Sequence, residues 1–391
     1  MSAPSRPGLE PDELVDAARV QTGLDDFGGD SYREGLEILT RGMETESSLS
    51  TIGRHVARGH VLRLLASRLQ IEDWYRKHPE IDAQKTPAPI VVLGLPRTGT
   101  TALSALLACD PETRSLRTWE SSAPTPPPEK STEDTDPRID RARASQEQMH
   151  AAFPAMKIMY DAEPTGPTEC QDLLGMDFKT EHFCGMYRSP TYAAWVRGCD
   201  MTSAYRLHHR TLKLLQWRCP PNRWHLKTPV HMLSLDALDR EYPDARFIMT
   251  HRDPARVLGS VCSLIQVTRS MASDERDPLG LGKEQVDIWS LALERAMAFR
   301  ARIGEERFAD IPFREQVKDP IGSVERAYAK LGIPFTEAAR AGMTSWAAEH
   351  RKGRHGEHQY RLADFGLAIE PVRERFRAYV ERFDVPLEEG E

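Results

Sequence analysis

Apolar residues recur at three- and four-residue spacing through the first eighty positions, and then the pattern changes. Pro11 to Leu24, Tyr32 to Thr45 and Arg54 to His78 carry this helical spacing, the last through Val56, Val61, Leu64, Leu65, Leu69 and Ile71. After Pro87-Ala-Pro89 comes Ile90-Val-Val-Leu-Gly-Leu95, a β-branched run that predicts a buried strand. Thr100 to Ala108 predicts a helix that stops at Asp110-Pro111. Two further strand–turn–helix units follow. Arg223-Trp-His-Leu-Lys227 precedes a helix over Pro229 to Tyr242, and Ala245-Arg-Phe-Ile-Met-Thr250 precedes one starting at Pro254. Strands alternating with helices predict an α/β fold, a parallel sheet flanked by helices, here with an added N-terminal helical layer. Residues 1–86 are then a helical region packed on the core and 87–391 the α/β domain, together one continuous globule. Residues 124–137 hold five prolines among polar residues and predict an exposed loop. No repeat of fixed period occurs, so solenoids and propellers are excluded.

Two strand-to-helix turns carry chemistry. Gly94-Leu-Pro96-Arg97-Thr98-Gly99-Thr100-Thr101 has the frame of a phosphate loop, with Thr100 where an NTPase has lysine. Glycines let the backbone approach an anion, the helix start offers unpaired N–H groups, and the threonine hydroxyls add donors. Arg97 supplies the charge, with a planar fork suited to phosphate or sulfate oxygens. The missing lysine argues against ATP hydrolysis. In the second turn, His251-Arg252-Asp253-Pro254, Asp253 is placed as an N-cap and Pro254 as the first helical residue. Arg252 then stands at a strand's carboxyl end, where open α/β sheets bind ligands. Ser260, eight residues on, shares a similar helical face. A third basic cluster, Arg351-Lys352-Gly353-Arg354-His355-Gly356, has the composition of a flexible clamp.

Charge and cysteines narrow the classes. A net charge of −7 excludes a nucleic-acid binder that relies on overall charge, yet allows a local basic pocket. The six cysteines form no CxxC pair, which argues against zinc ribbons, iron–sulfur sites and dithiol redox motifs. His350, His355 and His358 lack a carboxylate partner at ligand spacing, so no metal is expected. The first twenty residues have no apolar core and no 18-residue apolar run occurs, so the expectation is a cytoplasmic chain without a transmembrane segment.

With these motifs in hand, the chain resembles the sulfotransferases that use 3′-phosphoadenosine 5′-phosphosulfate (PAPS). Pro96 to Thr101 is similar to the family's 5′-phosphosulfate loop, in the arginine form of bacterial, carbohydrate and tyrosylprotein members. Arg252 and Ser260 resemble its 3′-phosphate motif. Arg351, Lys352 and Gly353 resemble its third motif, although Glu357-His358 replaces the usual Trp-Lys after Gly356. The resemblance covers residues 87 to about 360, with the motifs in family order. It implies PAPS as co-substrate, adenosine 3′,5′-bisphosphate as product, and no metal. Two separated anion sites suit that nucleotide.

The resemblance also orders the catalytic candidates. Glu120 lies 23 residues after Arg97, near the interval at which arginine-type relatives place a glutamate base. Lys227 lies 25 residues before Arg252, where relatives carry a lysine that neutralises the leaving oxygen, with Thr228 as N-cap and Pro229 first in the helix. His231 in that helix's first turn is the alternative base. Seven aromatics, including Phe153, Tyr160 and Trp195, and several methionines crowd residues 149–195. Most read as core, and some as an adaptable apolar pocket for a lipid, isoprenoid or aromatic alcohol. A phosphate-loop nucleotide kinase and a catalytically silent nucleotide-binding protein are the competing readings; oligomeric state is not legible.

Overall fold

Five residues in a row without a polar side chain, Ile90-Val-Val-Leu-Gly94, are all buried and form the central strand β1. The structure is a computed structural model that describes residues 7–159, 163–350 and 361–388. Around β1 lie β2 (Thr113–Ser115), β3 (Arg223–Lys227), β4 (Arg246–His251) and β5 (Phe308–Pro312), in the order β2-β3-β1-β4-β5. Every pairing is parallel. From β1 the chain runs to the edge strand β2, returns through β3 beside β1, and then crosses to β4 and β5 on the other side, so the order reverses at β1. In such sheets the crevice for a ligand opens at the carboxyl ends of the strands beside the reversal. The register sets what faces it, because Val92 pairs with Lys227 and Gly94 with Thr250.

Alternate side chains of β1 feed two cores, as the period of a strand requires. Val91 and Leu93 join a large cluster that also contains Leu14, Leu36, Val61, Leu65 and Phe247. Ile90 and Val92 join a second one with Leu103, Ile248, Val324 and Tyr328. Both faces are therefore covered, and the N-terminal helices Pro11–Thr22, Arg33–Thr45 and Thr51–Lys77 share a core with the sheet.

Local chemistry explains where elements start and stop. Gly23, at φ 68°, ends the first helix in the left-handed region that suits glycine. The third begins at Thr51, earlier than its apolar spacing implies, because Ser50 accepts a hydrogen bond from the Gly53 N–H. The helix expected over Pro229–Tyr242 is divided. A 3₁₀ turn, Pro229–Leu233, meets Leu235–Glu241 at Ser234, which has φ −147°. No helix or strand spans 123–136, but Pro124, Pro127 and Pro128 are buried, so this loop is only partly exposed.

One buried ion pair joins three separate segments. Arg68 donates to Asp177 Oδ1 at 2.7 Å, to the Phe27 carbonyl at 2.7 Å and to Ser31 Oγ at 3.1 Å. Asp177 is completely buried and also accepts from Ser203 Oγ at 2.6 Å. Breaking such a pair leaves an uncompensated charge in the interior. Asp177→Ala should therefore cost about 3–5 kcal/mol, measured as a lower urea midpoint.

Candidate active site

The turn after β1 is shaped by backbone that few side chains tolerate. Gly94 has φ 136°, and a Cβ there would stand 2.3 Å from Thr250 Oγ1. Arg97 itself has φ 64° and Gly99 has φ 87°. A Cβ on Gly99 would lie 2.9 Å from the Gln316 side chain, whose amide donates to the Gly99 carbonyl at 2.9 Å. Gln316 follows β5 and was invisible to motif reading. The helix Thr100–Leu107 starts without a side-chain cap, so its first N–H groups face the turn.

Thr98 departs from its expected place in the anion site. Its side chain is fully buried, and its hydroxyl donates to the Leu95 carbonyl at 2.6 Å and meets Thr250 Oγ1 at 2.6 Å. The hydroxyl therefore fastens the turn, and only the backbone N–H of Thr98 is left for an anion. Pro96 is half-buried and Thr101 exposed, while Thr100 is buried at the helix start.

The two arginines converge. Arg97 Nε donates to Ser260 Oγ at 3.1 Å, and Arg252 Nη1 donates to the Arg97 carbonyl at 3.1 Å. Asp253 caps the helix Pro254–Ser270 by accepting from the Ala255 N–H at 3.0 Å, which fixes the direction of Arg252 and the face carrying Ser260. Arg252 also lies 4.1 Å above the Phe313 ring. Its remaining donors meet a residue far along the chain: Nε and Nη2 reach the Glu388 carboxylate at 2.8 and 3.1 Å. Glu388 is held there by its own N–H to Asp253 Oδ2 at 2.9 Å and by Arg373 donating to its carbonyl at 2.8 Å.

Lys227 closes β3 with its side chain 3 % exposed, and its ammonium donates to Glu169 Oε1 at 2.9 Å. Thr228 stands at the expected N-cap position but makes no side-chain cap. Its hydroxyl turns instead to Glu169 Oε2 at 3.1 Å. Gln171 Nε2 donates to the same oxygen at 2.9 Å. The loop carrying Glu169 is pinned to the strand by the Cys170 N–H, which donates to the Lys227 carbonyl at 3.0 Å. Burial raises the Glu169 pKa, but Lys227 and the hydrogen bonds outweigh it and hold the carboxyl below its ordinary value.

Glu120 and His231 occupy enclosed positions. Glu120 is fully buried, with Arg114 Nη2 donating to Oε1 at 2.5 Å and the Arg117 N–H donating to Oε2 at 3.1 Å. His231 is also fully buried, its Nδ1 2.8 Å from the Tyr205 hydroxyl and its Nε2 without a partner. Burial pushes its pKa down to about 3, against a small opposing pull from Glu169. Arg351, Lys352 and Gly353 lie outside the described residues, as do Tyr160, His355 and His358. Phe178, Phe183, Tyr187 and Tyr192 are buried in the large core. Among the described residues, no group of three or more His, Cys, Asp or Glu is arranged to hold a metal, and no helix is long and apolar enough to cross a membrane.

The parallel sheet, with Arg97, Arg252 and Lys227 at the carboxyl ends of its strands, is an α/β architecture with cations at its ligand edge. Residues 89–337 match the sulfotransferase family, and the chain belongs to it. It superposes on sulfotransferase STF9 from Mycobacterium avium with a TM-score of 0.92 and 32% identity, covering 99% of this chain and 100% of that one. Sulfotransferase STF1 from Mycobacterium tuberculosis H37Rv gives 0.85 and 34%, covering 94% and 98%. The omega-hydroxy-beta-dihydromenaquinone-9 sulfotransferase Stf3 of Mycobacterium bovis is 24% identical over 135 residues, 34% of this chain and 35% of that protein. The aligned stretch thus spans about a third of this curated relative.

The turn geometry is testable by itself. Gly94→Ala must move Thr250 or the loop, and should destabilise the chain by about 1–3 kcal/mol. Equilibrium denaturation at neutral pH measures it.

Proposed function

We propose that this protein moves a sulfuryl group from PAPS to a hydroxyl of a small-molecule or lipid-like acceptor and releases adenosine 3′,5′-bisphosphate. The observation that carries the reading is the contact chain Ser260–Arg97–Arg252 on the edge that also bears Lys227. Arg97 and the loop N–H groups would hold the 5′-phosphosulfate. Arg252 and Ser260 would hold the 3′-phosphate, the role that the resemblance also gives to Arg351, Lys352 and Gly353. Lys227 is the cation for the bridging oxygen that departs with the nucleotide. A sulfuryl group carries less charge than a γ-phosphoryl group, so these cations can act without magnesium. The 1–86 helical region and the 87–391 α/β domain would work as one globule.

The acceptor class is drawn from a relative and from composition. Stf3 is named for a hydroxylated menaquinone, a lipid-like alcohol. The methionine-rich segment before Trp195 is of the kind that adapts to irregular apolar ligands. A cytoplasmic location fits this use, and no nucleic acid is involved.

Calorimetric titration without metal separates this function from a nucleotide kinase. The bisphosphate should bind and ATP should bind far more weakly; tight ATP binding with no bisphosphate response would reject the sulfotransferase. Arg97→Ala should weaken PAPS and bisphosphate alike. Arg252→Ala should remove the preference for the bisphosphate over adenosine 5′-phosphate, by about tenfold or more for the loss of a charged hydrogen bond worth 1.5–3 kcal/mol.

A further inference from the structure

A sulfuryl-transfer site needs a group that takes the acceptor's proton, and the geometry points to one that motif spacing does not reach. We propose that Glu169 is the general base, held at the sulfuryl centre by Lys227 in the absence of nucleotide. The inference rests on the sulfotransferase reading above and deepens it.

Three observations carry it. The first is position. Lys227 sits on the carboxyl edge beside the phosphate loop, through the pairing of β3 with β1, and Glu169 is the carboxylate in contact with its ammonium at 2.9 Å. The second is access. The Glu169 side chain is 24 % exposed, so it reaches the surface of the crevice. Glu120 is fully buried with one oxygen on Arg114 and the other on the Arg117 N–H. Glu120 therefore has no exposed surface at which an acceptor hydroxyl could meet it. The third is spare capacity. Glu169 Oε2 accepts from Thr228 and Gln171, which orient the carboxylate, while Oε1, among the described residues, accepts from Lys227 alone.

The step then balances. The acceptor oxygen forms a bond to sulfur as its proton passes to Glu169 Oε1. The bond between sulfur and the 5′-phosphate oxygen breaks, and its electron pair stays on that oxygen, which Lys227 neutralises. Lys227 leaves Glu169 to do so, and losing that cation makes the carboxylate a stronger base when it is needed. Besides Lys227, Glu169 faces Thr228 and Gln171, and its charge is felt by His182 and His231. His182 in turn lies within the field of Asp172 and Arg63.

The experiment uses the full chain. Sulfur-labelled PAPS is incubated with farnesol and 2-naphthol as acceptors, and its hydrolysis is followed in parallel with water as acceptor. Glu169→Gln should keep bisphosphate affinity within a few-fold while lowering transfer and hydrolysis by about 10²–10⁴-fold. It should also erase the fall in kcat towards acid pH that wild type shows as the base protonates. A residue that merely positioned Lys227 would leave that limb in place. A second measurement needs no acceptor. Bisphosphate binding in buffers of different ionisation enthalpy should show wild type taking up more protons than Glu169→Gln, because Glu169 loses its cation on binding. If Glu169→Gln fails to fold, Glu169→Asp should keep the acid limb at reduced rate. The proposal is overturned if Glu169→Gln turns over normally, if proton uptake is equal in both proteins, or if folded Glu120→Gln alone loses transfer. Absence of bisphosphate binding in wild type would instead remove the sulfotransferase reading itself.

Discussion

The Thr250 hydroxyl donates to Thr98 Oγ1 at 2.6 Å inside the molecule, and the Thr98 hydroxyl donates on to the Leu95 carbonyl at 2.6 Å. This contact ties the turn after β1 to the strand whose next residues are His251 and Arg252. It is possible only because Gly94 puts no side chain between them. If the gap widened, Arg97 and Arg252 would belong to two unrelated turns. With it closed, the Arg252 guanidinium donates to the Arg97 backbone carbonyl, and the two turns are held side by side.

The site is more balanced in charge than its cations imply. Arg252 has Glu388 and Lys227 has Glu169, each within ordinary hydrogen-bond distance. Leaving a lysine side chain 3 % exposed without a counter-charge would be costly, and the carboxylate removes that cost until a ligand replaces it. The overall charge of −7 is thus compatible with an anion-binding crevice, because local pairing decides the field there.

Much of this was legible in the sequence, for identifiable reasons. The central strand, the phosphate-type turn and the capped helix after Arg252 rest on local rules: β-branched runs, glycine conformations, and an Asp-Pro helix start. These are obeyed in place. Ser260 lies on the helix that Asp253 starts, and its hydroxyl accepts from Arg97 of the other turn. β2 has three residues, too few for a pattern, and β5 is interrupted by Asp310 and ends in Pro312. The role of the Thr228 hydroxyl depends on a tertiary partner, Glu169, that no local rule supplies. Glu169 was missed for the same reason, since an isolated glutamate in a loop carries no periodicity. Glu388, 136 positions from Arg252, is equally silent until the chain is folded.

Glu388 is an anion already seated on Arg252, and its neighbours make it more than a local contact. The Asp253 carboxylate accepts from the Glu388 N–H and from Arg373 at once. On the proposed reading, a phosphate arriving at Arg252 would not enter an open site; it would displace a tethered competitor. Occupancy of the crevice and attachment of the chain's final described segment are then two faces of one equilibrium. The slowing of amide hydrogen exchange at Glu388 becomes a meter of how empty the crevice is.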